Sequence, residues 1–270
     1  GAEIKLFKPS KFWIYNFFQI SRIIKETKPD IVHFHFYPVY TLLNYLKLFY
    51  DVLIIYTDHM GYRKTNSSIK KIIRRSYYYT SSKLYEKGID KIICVSNFVK
   101  DKYPNEYGIK PKKMCVIYNG INTNKFKKSQ NTKKVIEDKY GLKNRPVVTI
   151  VGLRKDKGPQ YLIKIAPSII NEVPNVLFMF VGEGECKTYL EESAVKQKIE
   201  EHIIFTGKVD SIIPIYQSSF CVVIPSVWEE AFCFVAAEAM ATGTNIIAFD
   251  SGAIKEVAFD RKQLVSKDCI

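Results

Sequence analysis

No run of about 18 apolar residues occurs in this 270-residue chain, so no segment reads as a membrane-spanning helix. No secretory leader pattern opens it. None of its six cysteines forms a C-x-x-C pair, and its four histidines (His33, His35, His59, His202) show no zinc-type spacing with them. Cys94 and Cys221 fall inside apolar runs and read as small core residues. A reducing compartment without a disulfide framework is the expectation. Complete glycine fingerprints are missing too. Gly182-x-Gly184 is followed by Lys187 where a dinucleotide loop needs its third glycine. "GECKT" has Cys186, and Val181 five residues before it, where a phosphate loop needs glycine. Both motifs are rejected, and the segment reads as a tight strand-to-helix turn.

Charge is abundant, and it is uneven. Basic residues number 41 against 27 acidic, a net +14. Up to Lys128 there are 24 basic and 9 acidic residues, whereas the remainder holds 17 and 18. A general preference for lysine explains a mean bias but not this asymmetry. A single-sign half implies an anionic partner surface. The segment "NSSIKKIIRRSYYYTSSKLYEK" places Lys70, Lys71, Arg74 and Arg75 beside isoleucines, the pattern of a basic amphipathic helix at an anionic membrane. Packing of its isoleucine face on its own sheet is the competing reading. No nucleic-acid motif accompanies the tyrosines at 77–79, and no nucleic-acid partner is expected.

Short apolar runs alternate with helical stretches along the whole chain. "DIVHFHF", "VLIIYT", "KIICVS" and "KMCVIYNG" occupy the first half, with helical patterns over Ser67–Lys87 and Asn97–Glu106. "PVVTIVG", "NVLFMFVG", "HIIFTG", "FCVVIPS" and "NIIAFDSG" occupy the second. Such alternation predicts parallel sheets covered on both faces. Two sets separated by the polar stretch at 125–144 predict two Rossmann-like domains, over residues 1–127 and 128–270. Polar residues gather at strand carboxyl ends, where such sheets bind ligands, and imply a cleft between the domains.

Two stretches carry candidate chemistry. In "VTIVGLRKDKG", Arg154, Lys155 and Lys157 crowd a strand–helix turn after Gly152, a setting that suits a diphosphate. In "PSVWEEAFCFVAAEAMATG", Glu238 lies within a helix apolar almost all round, with Glu229 and Glu230 just before it. An ionised carboxylate is costly to bury alone, which raises the question of what these acids face. In one continuous helix Glu230 and Glu238 would stand about 12 Å apart along the axis. That is too far for a hydrolytic pair and suited to the two ends of a nucleotide-sugar.

This last stretch resembles the signature of the retaining glycosyltransferases of family 4, P-S-x-x-E-x-x-G followed by E-A-M-A-x-G. "VGLRKDKG", "FVGEGE" and "CVSNFVKDKYPNEYGIKPKKMCVIYNGINTNKF" resemble further family segments in the same order, and "KPDIVHFHFY" and "YTDHMG" its weaker first-domain elements. The resemblance covers nearly the whole chain. It implies an α/β chain of GT-B fold, two Rossmann-like domains with parallel sheets facing across a cleft. By that resemblance the first domain begins after the family's first strand, and the second stops before its last helices. It also implies roles. Glu238 would bind the ribose hydroxyls, and Glu230 would contact the donor sugar near the reacting centre. Arg154 and Lys157 would bind the diphosphate beside Gly152, and amides around Phe232, Cys233 and Phe234 would hold the sugar. His59 would face that sugar from the other domain. Three departures stand out: a shorter arginine loop, Cys233 in place of a glycine, and Asn122 in place of an aspartate.

The implied activity is transfer of a sugar, with retention, from a nucleotide-diphosphate-sugar to a glycan or lipid-linked acceptor. No Asp-x-Asp pair exists, so neither metal nor other cofactor is expected, with Arg154 and Lys157 neutralising the leaving group. The implied place is cytoplasmic, peripheral on the inner face of the membrane, in cell-envelope polysaccharide synthesis. A nucleotide-sugar epimerase and a catalytically silent subunit of a glycan-assembly complex are the alternatives.

Overall fold

The apolar runs become parallel strands in a computed structural model that describes residues 13–39, 41–60, 86–104, 111–128, 133–142, 144–258 and 260–267. The chain divides into two compact units, the first ending at Tyr118 and the second continuing from Asn119. The sequence places this division after Lys127. Residues just past Tyr118 group with the second unit because Phe126 packs into that unit's core and Gln217 Nε2 donates to the Lys127 carbonyl at 2.7 Å.

In the first unit, helix α1 (Trp13–Thr27) leads into β1 (Ile31–His35). Strands β2 (Leu53–Asp58), β3 (Lys91–Cys94) and β4 (Met114–Val116) follow, and the sheet order is β1-β2-β3-β4 with every pair parallel. A short 3-10 helix, Leu42–Leu48, links β1 to β2, and α2 (Asn97–Lys102) links β3 to β4. Ser96 caps α2 by accepting from the Val99 amide at 3.1 Å, which satisfies one of the amides left open at a helix start. The helical pattern expected over Ser67–Lys87, with Lys70, Lys71, Arg74 and Arg75, lies outside the described residues but for its last two positions. Ile14, Phe18, Leu48 and Phe49 stay exposed around an apolar hollow of about 360 Å³.

The second unit is a six-stranded parallel sheet of β5 (Val147–Val151), β6 (Leu177–Val181), β7 (Ile203–Gly207), β8 (Cys221–Ile224), β9 (Asn245–Phe249) and β10 (Leu264–Val265). Helices α3 (Lys133–Tyr140), α4 (Pro159–Glu172), α5 (Lys187–Gln197), α6 (Ile213–Ser218), α7 (Phe234–Ala241) and α8 (Ile254–Val257) lie between or beside them. β6 is buried along its whole length, as a strand covered on both faces must be.

The strand order is β10-β9-β8-β5-β6-β7. β5 therefore starts in the middle, β6 and β7 extend one way, and β8 to β10 extend the other. The reversal between β5 and β8 is a topological switch point, and sheets of this kind bind ligands outside the strand carboxyl ends at such a point. The loops that leave β5 and β8 are the two stretches singled out in the sequence.

Candidate functional site

The loop after β5 turns at Gly152, whose amide donates to the Val181 carbonyl at 2.8 Å, and runs through buried Leu153 to a 3-10 turn at Lys155–Lys157. Gly158 then adopts the left-handed region (φ 79°) and Pro159 begins α4. Only glycine fits at 158, since a Cβ there would lie 1.9 Å from the Pro225 carbonyl oxygen. That close approach brings the β5 and β8 loops together. The Asp156 carbonyl accepts from the amides of Val227 and Trp228, at 3.0 and 3.2 Å.

Side chains complete the join. Lys157 Nζ donates to Glu230 Oε1 at 2.7 Å, and Ser226 Oγ donates to the same oxygen at 2.8 Å. Glu230 is buried and its backbone bridges to Gly252. It lies ahead of α7, so the axial spacing expected between Glu230 and Glu238 in one continuous helix does not apply. Arg154 is largely exposed and forms an ion pair with Asp156, which raises the guanidinium's already high pKa and holds the Asp156 carboxyl below the usual range. The β6 turn supports the loop from below: Glu185 Oε1 accepts from the Lys155 amide at 2.8 Å.

The three acids of the opening stretch each have a distinct partner. Glu229 pairs with Lys267 at 3.2 Å, and Glu230 with Lys157 and Ser226. Glu238, half-buried on α7, meets the Tyr216 hydroxyl at 3.4 Å, and the charge of Lys125 acts on it. Burial raises its pKa above the ordinary carboxylate value, while Tyr216 and Lys125 pull it partly back. Phe232 and Cys233 are buried, Phe234 is exposed, and the two phenyl rings meet edge to face at 5.3 Å. Cys233 stands at the start of α7 with φ 77°, the region that favours glycine. Burial pushes its thiol up to about 12.

Sequence reasoning missed Asp156, Ser226, Tyr216 and Lys125 as partners. Asp156 was legible, standing two residues from Arg154. Tyr216 and Lys125 are brought to Glu238 only by the fold.

In the first unit, His59 follows β2. Its Nε2 lies 3.0 Å from His35 Nδ1 and its ring stacks on Phe36 at 4.6 Å. His33 Nε2 lies 2.7 Å from Thr57 Oγ1. Beneath them the buried Asp58 carboxylate takes hydrogen bonds from Lys102 Nζ at 2.8 Å and the Tyr103 hydroxyl at 2.6 Å.

Two parallel α/β units are the architecture of the GT-B fold, and solved structures agree with that fold. A glycosyltransferase from Rickettsia africae superposes with TM-score 0.79 at 24% identity, over 97% of this chain and 69% of that one. Anabaena HepE in complex with UDP gives 0.78 at 19%, over 93% and 68%.

The chain belongs to the family Glycosyl transferases group 1, whose model matches residues 132–268; the model of Glycosyltransferase Family 4 matches residues 2–125. An uncharacterised glycosyltransferase of Methanocaldococcus jannaschii is 32% identical over 62% of this chain and 44% of its own length. The Escherichia coli UDP-Gal:alpha-D-GlcNAc-diphosphoundecaprenol alpha-1,3-galactosyltransferase is 28% identical over 91% and 63%. The chain thus spans about half to two thirds of these two relatives.

Proposed function

We propose that the second unit binds a nucleotide-diphosphate-sugar at its switch point, and that the protein transfers the sugar, with retention, to a glycan or lipid-linked acceptor. The carrying observation is the Lys157–Glu230–Ser226 cluster at the meeting of the β5 and β8 loops. Arg154 and Lys157 bind the diphosphate and neutralise the leaving group in place of a metal ion. To do so each exchanges a carboxylate partner for phosphate oxygens. Glu238 takes the ribose hydroxyls, an acceptor for two neutral donors. Glu230 contacts the sugar, Gly152 lets the backbone approach the phosphates, and amides at Phe232, Cys233 and Phe234 hold the sugar. His59 is the first unit's contribution.

Two of the relatives support a lipid-linked acceptor: the Escherichia coli enzyme is named for a diphosphoundecaprenol substrate, and a Streptococcus pneumoniae relative is an alpha-monoglucosyldiacylglycerol synthase. No helix among the described residues is long and apolar enough to cross a membrane. We place the protein on the cytoplasmic face of an anionic membrane, in cell-envelope glycan synthesis, through its basic first half and the apolar hollow beside α1.

Calorimetric titration with UDP, GDP and ADP, with and without Mg²⁺, tests the donor site. Tight binding of one diphosphate, equal with and without metal and lost in Glu238→Ala, is expected. Binding that requires Mg²⁺ would overturn the metal-free reading. A silent subunit is the second reading, favoured by Cys233 in a glycine-like conformation; it predicts nucleotide binding without sugar transfer by the full-length protein.

A further inference from the structure

The first unit holds one imidazole, that of His59, in an unusually determined way. His59 is bracketed by Asp58 and Met60. Asp58 Oδ1 accepts from the Met60 amide at 2.7 Å, a side-chain turn that fixes the backbone on both sides of the histidine. The other oxygen, Oδ2, is pinned by Lys102 and Tyr103 from α2 and its end. Lys102 also donates to the Met60 carbonyl at 3.1 Å. The His59 ring is then held by β1. His35 Nδ1 meets its Nε2 at 3.0 Å, and Phe36, itself strained at φ 60°, covers one face.

We propose that His35 and Asp58 are positioning residues for His59, Asp58 fixing the backbone that carries the imidazole and His35 holding the ring in one tautomer and one orientation. This rests on the reading of His59 as the first unit's contribution to transfer.

The chemistry follows from the contact. Between two neutral imidazoles one nitrogen donates and the other accepts, so the state of His35 dictates which His59 nitrogen carries the proton. If His59 gains a second proton, the contact survives only while His35 presents a bare nitrogen. If both rings are charged, two N–H groups confront each other and the contact breaks. Among the described residues the ionisable groups whose charge acts on or with His59 are His33 and His35 on β1 and Asp58 beside it, with Lys102 paired to Asp58. Burial and His35 lower the His59 pKa, and Asp58 opposes them. A neutral imidazole of fixed tautomer can accept a hydrogen bond from a sugar hydroxyl at its bare nitrogen, which an imidazolium cannot.

The test is a histidine NMR titration of the intact protein, with the pH profile of kcat/KM for sugar transfer alongside. In wild type, the ¹⁵N shifts of His59 are expected to show one tautomer. His35→Gln keeps a hydrogen-bonding partner and removes an imidazole neighbour. The His59 midpoint should move up, the acid limb of the rate profile should move with it, and the alkaline plateau should stay near wild type. His35→Ala should mix the tautomers and lower the plateau, and Gln should restore it. Asp58→Asn should move the His59 midpoint down. His35 is exposed, so its variants fold even if the loss of Asp58 beside buried Lys102 does not permit folding. A His59 midpoint and tautomer indifferent to His35 would overturn the proposal. Shifts as expected without any change in the rate profile would leave the positioning intact and sink the assignment of His59 to the reaction.

Discussion

Lys157 and Glu230 stand 73 residues apart in sequence and 2.7 Å apart in space, joining the loops of the two strands that flank the switch point. The pair is mostly withdrawn from solvent, with side chains 30% and 11% exposed. Removing one member leaves the other's charge with fewer partners. A fully buried pair loses 3–5 kcal/mol in this way, and the partial exposure of Lys157 reduces this to about 1–3 kcal/mol. Lys157→Met is expected to lower stability by that amount in urea unfolding. Diphosphate binding should fall by more than tenfold in calorimetry. A variant that binds nucleotide like wild type would remove Lys157 from the diphosphate site.

Glu238 presents the opposite economy. Its carboxyl is raised by burial, so its folded pKa exceeds the unfolded one and the native state holds the proton more tightly. The stability linked to that proton is complete below the unfolded carboxylate value and is lost as pH rises through the folded one. Above the unfolded carboxylate value the raised carboxyl therefore weakens the ligand-free protein. Glu238→Gln should melt close to wild type in acid and above it at pH 7, while losing nucleotide affinity. Calorimetric melting from pH 4 to pH 8 checks the sign, and a variant less stable at pH 7 than wild type would contradict it.

The same two glutamates show what sequence could and could not tell. The strands were legible because buried parallel strands are apolar throughout, and the loops after β5 and β8 because Gly-Leu-Arg and Pro-Ser interrupt that apolarity at a strand end. The identity of the partners was not. Ser226 and Lys157 reach one oxygen only because β5 and β8 are neighbours, although three strands of sequence separate β5 from β9 and two lie between β5 and β8. Helical spacing misled where Glu230 leaves the helix to bridge Gly252. The short β10, two residues long, carries too little pattern to be read.

The first unit's surface makes a prediction about membranes. Ile14, Phe18, Leu48 and Phe49 are each more than 60% exposed, in the half of the chain that carries 24 basic and 9 acidic residues. Apolar side chains supply insertion and cations supply attraction to anionic headgroups. Co-sedimentation with vesicles containing phosphatidylglycerol should exceed that with pure phosphatidylcholine and fall with added salt. Phe18→Ser/Leu48→Ser should weaken it at least threefold; equal binding by the variant would release this patch from the role.

Cys233 makes the last prediction, because it combines two opposed effects at one position. Its backbone occupies the left-handed region at φ 77°, which costs an L-residue about 1–2 kcal/mol relative to glycine. Its side chain is buried in the core cluster that also holds Ala236 and Val222, which offsets part of that cost. Alanine keeps the backbone penalty and loses the sulfur; glycine loses slightly more packing and sheds the penalty. The usual core order, in which alanine is better tolerated than glycine, should therefore invert. Cys233→Gly is expected to be more stable than Cys233→Ala by about 1 kcal/mol in urea unfolding. With its thiol pushed up to about 12, the wild-type residue should also resist alkylation at pH 8 until the protein unfolds. An alanine variant more stable than the glycine variant would mean that the helix start relaxes out of the left-handed region, and that Cys233 holds no strain at the start of α7.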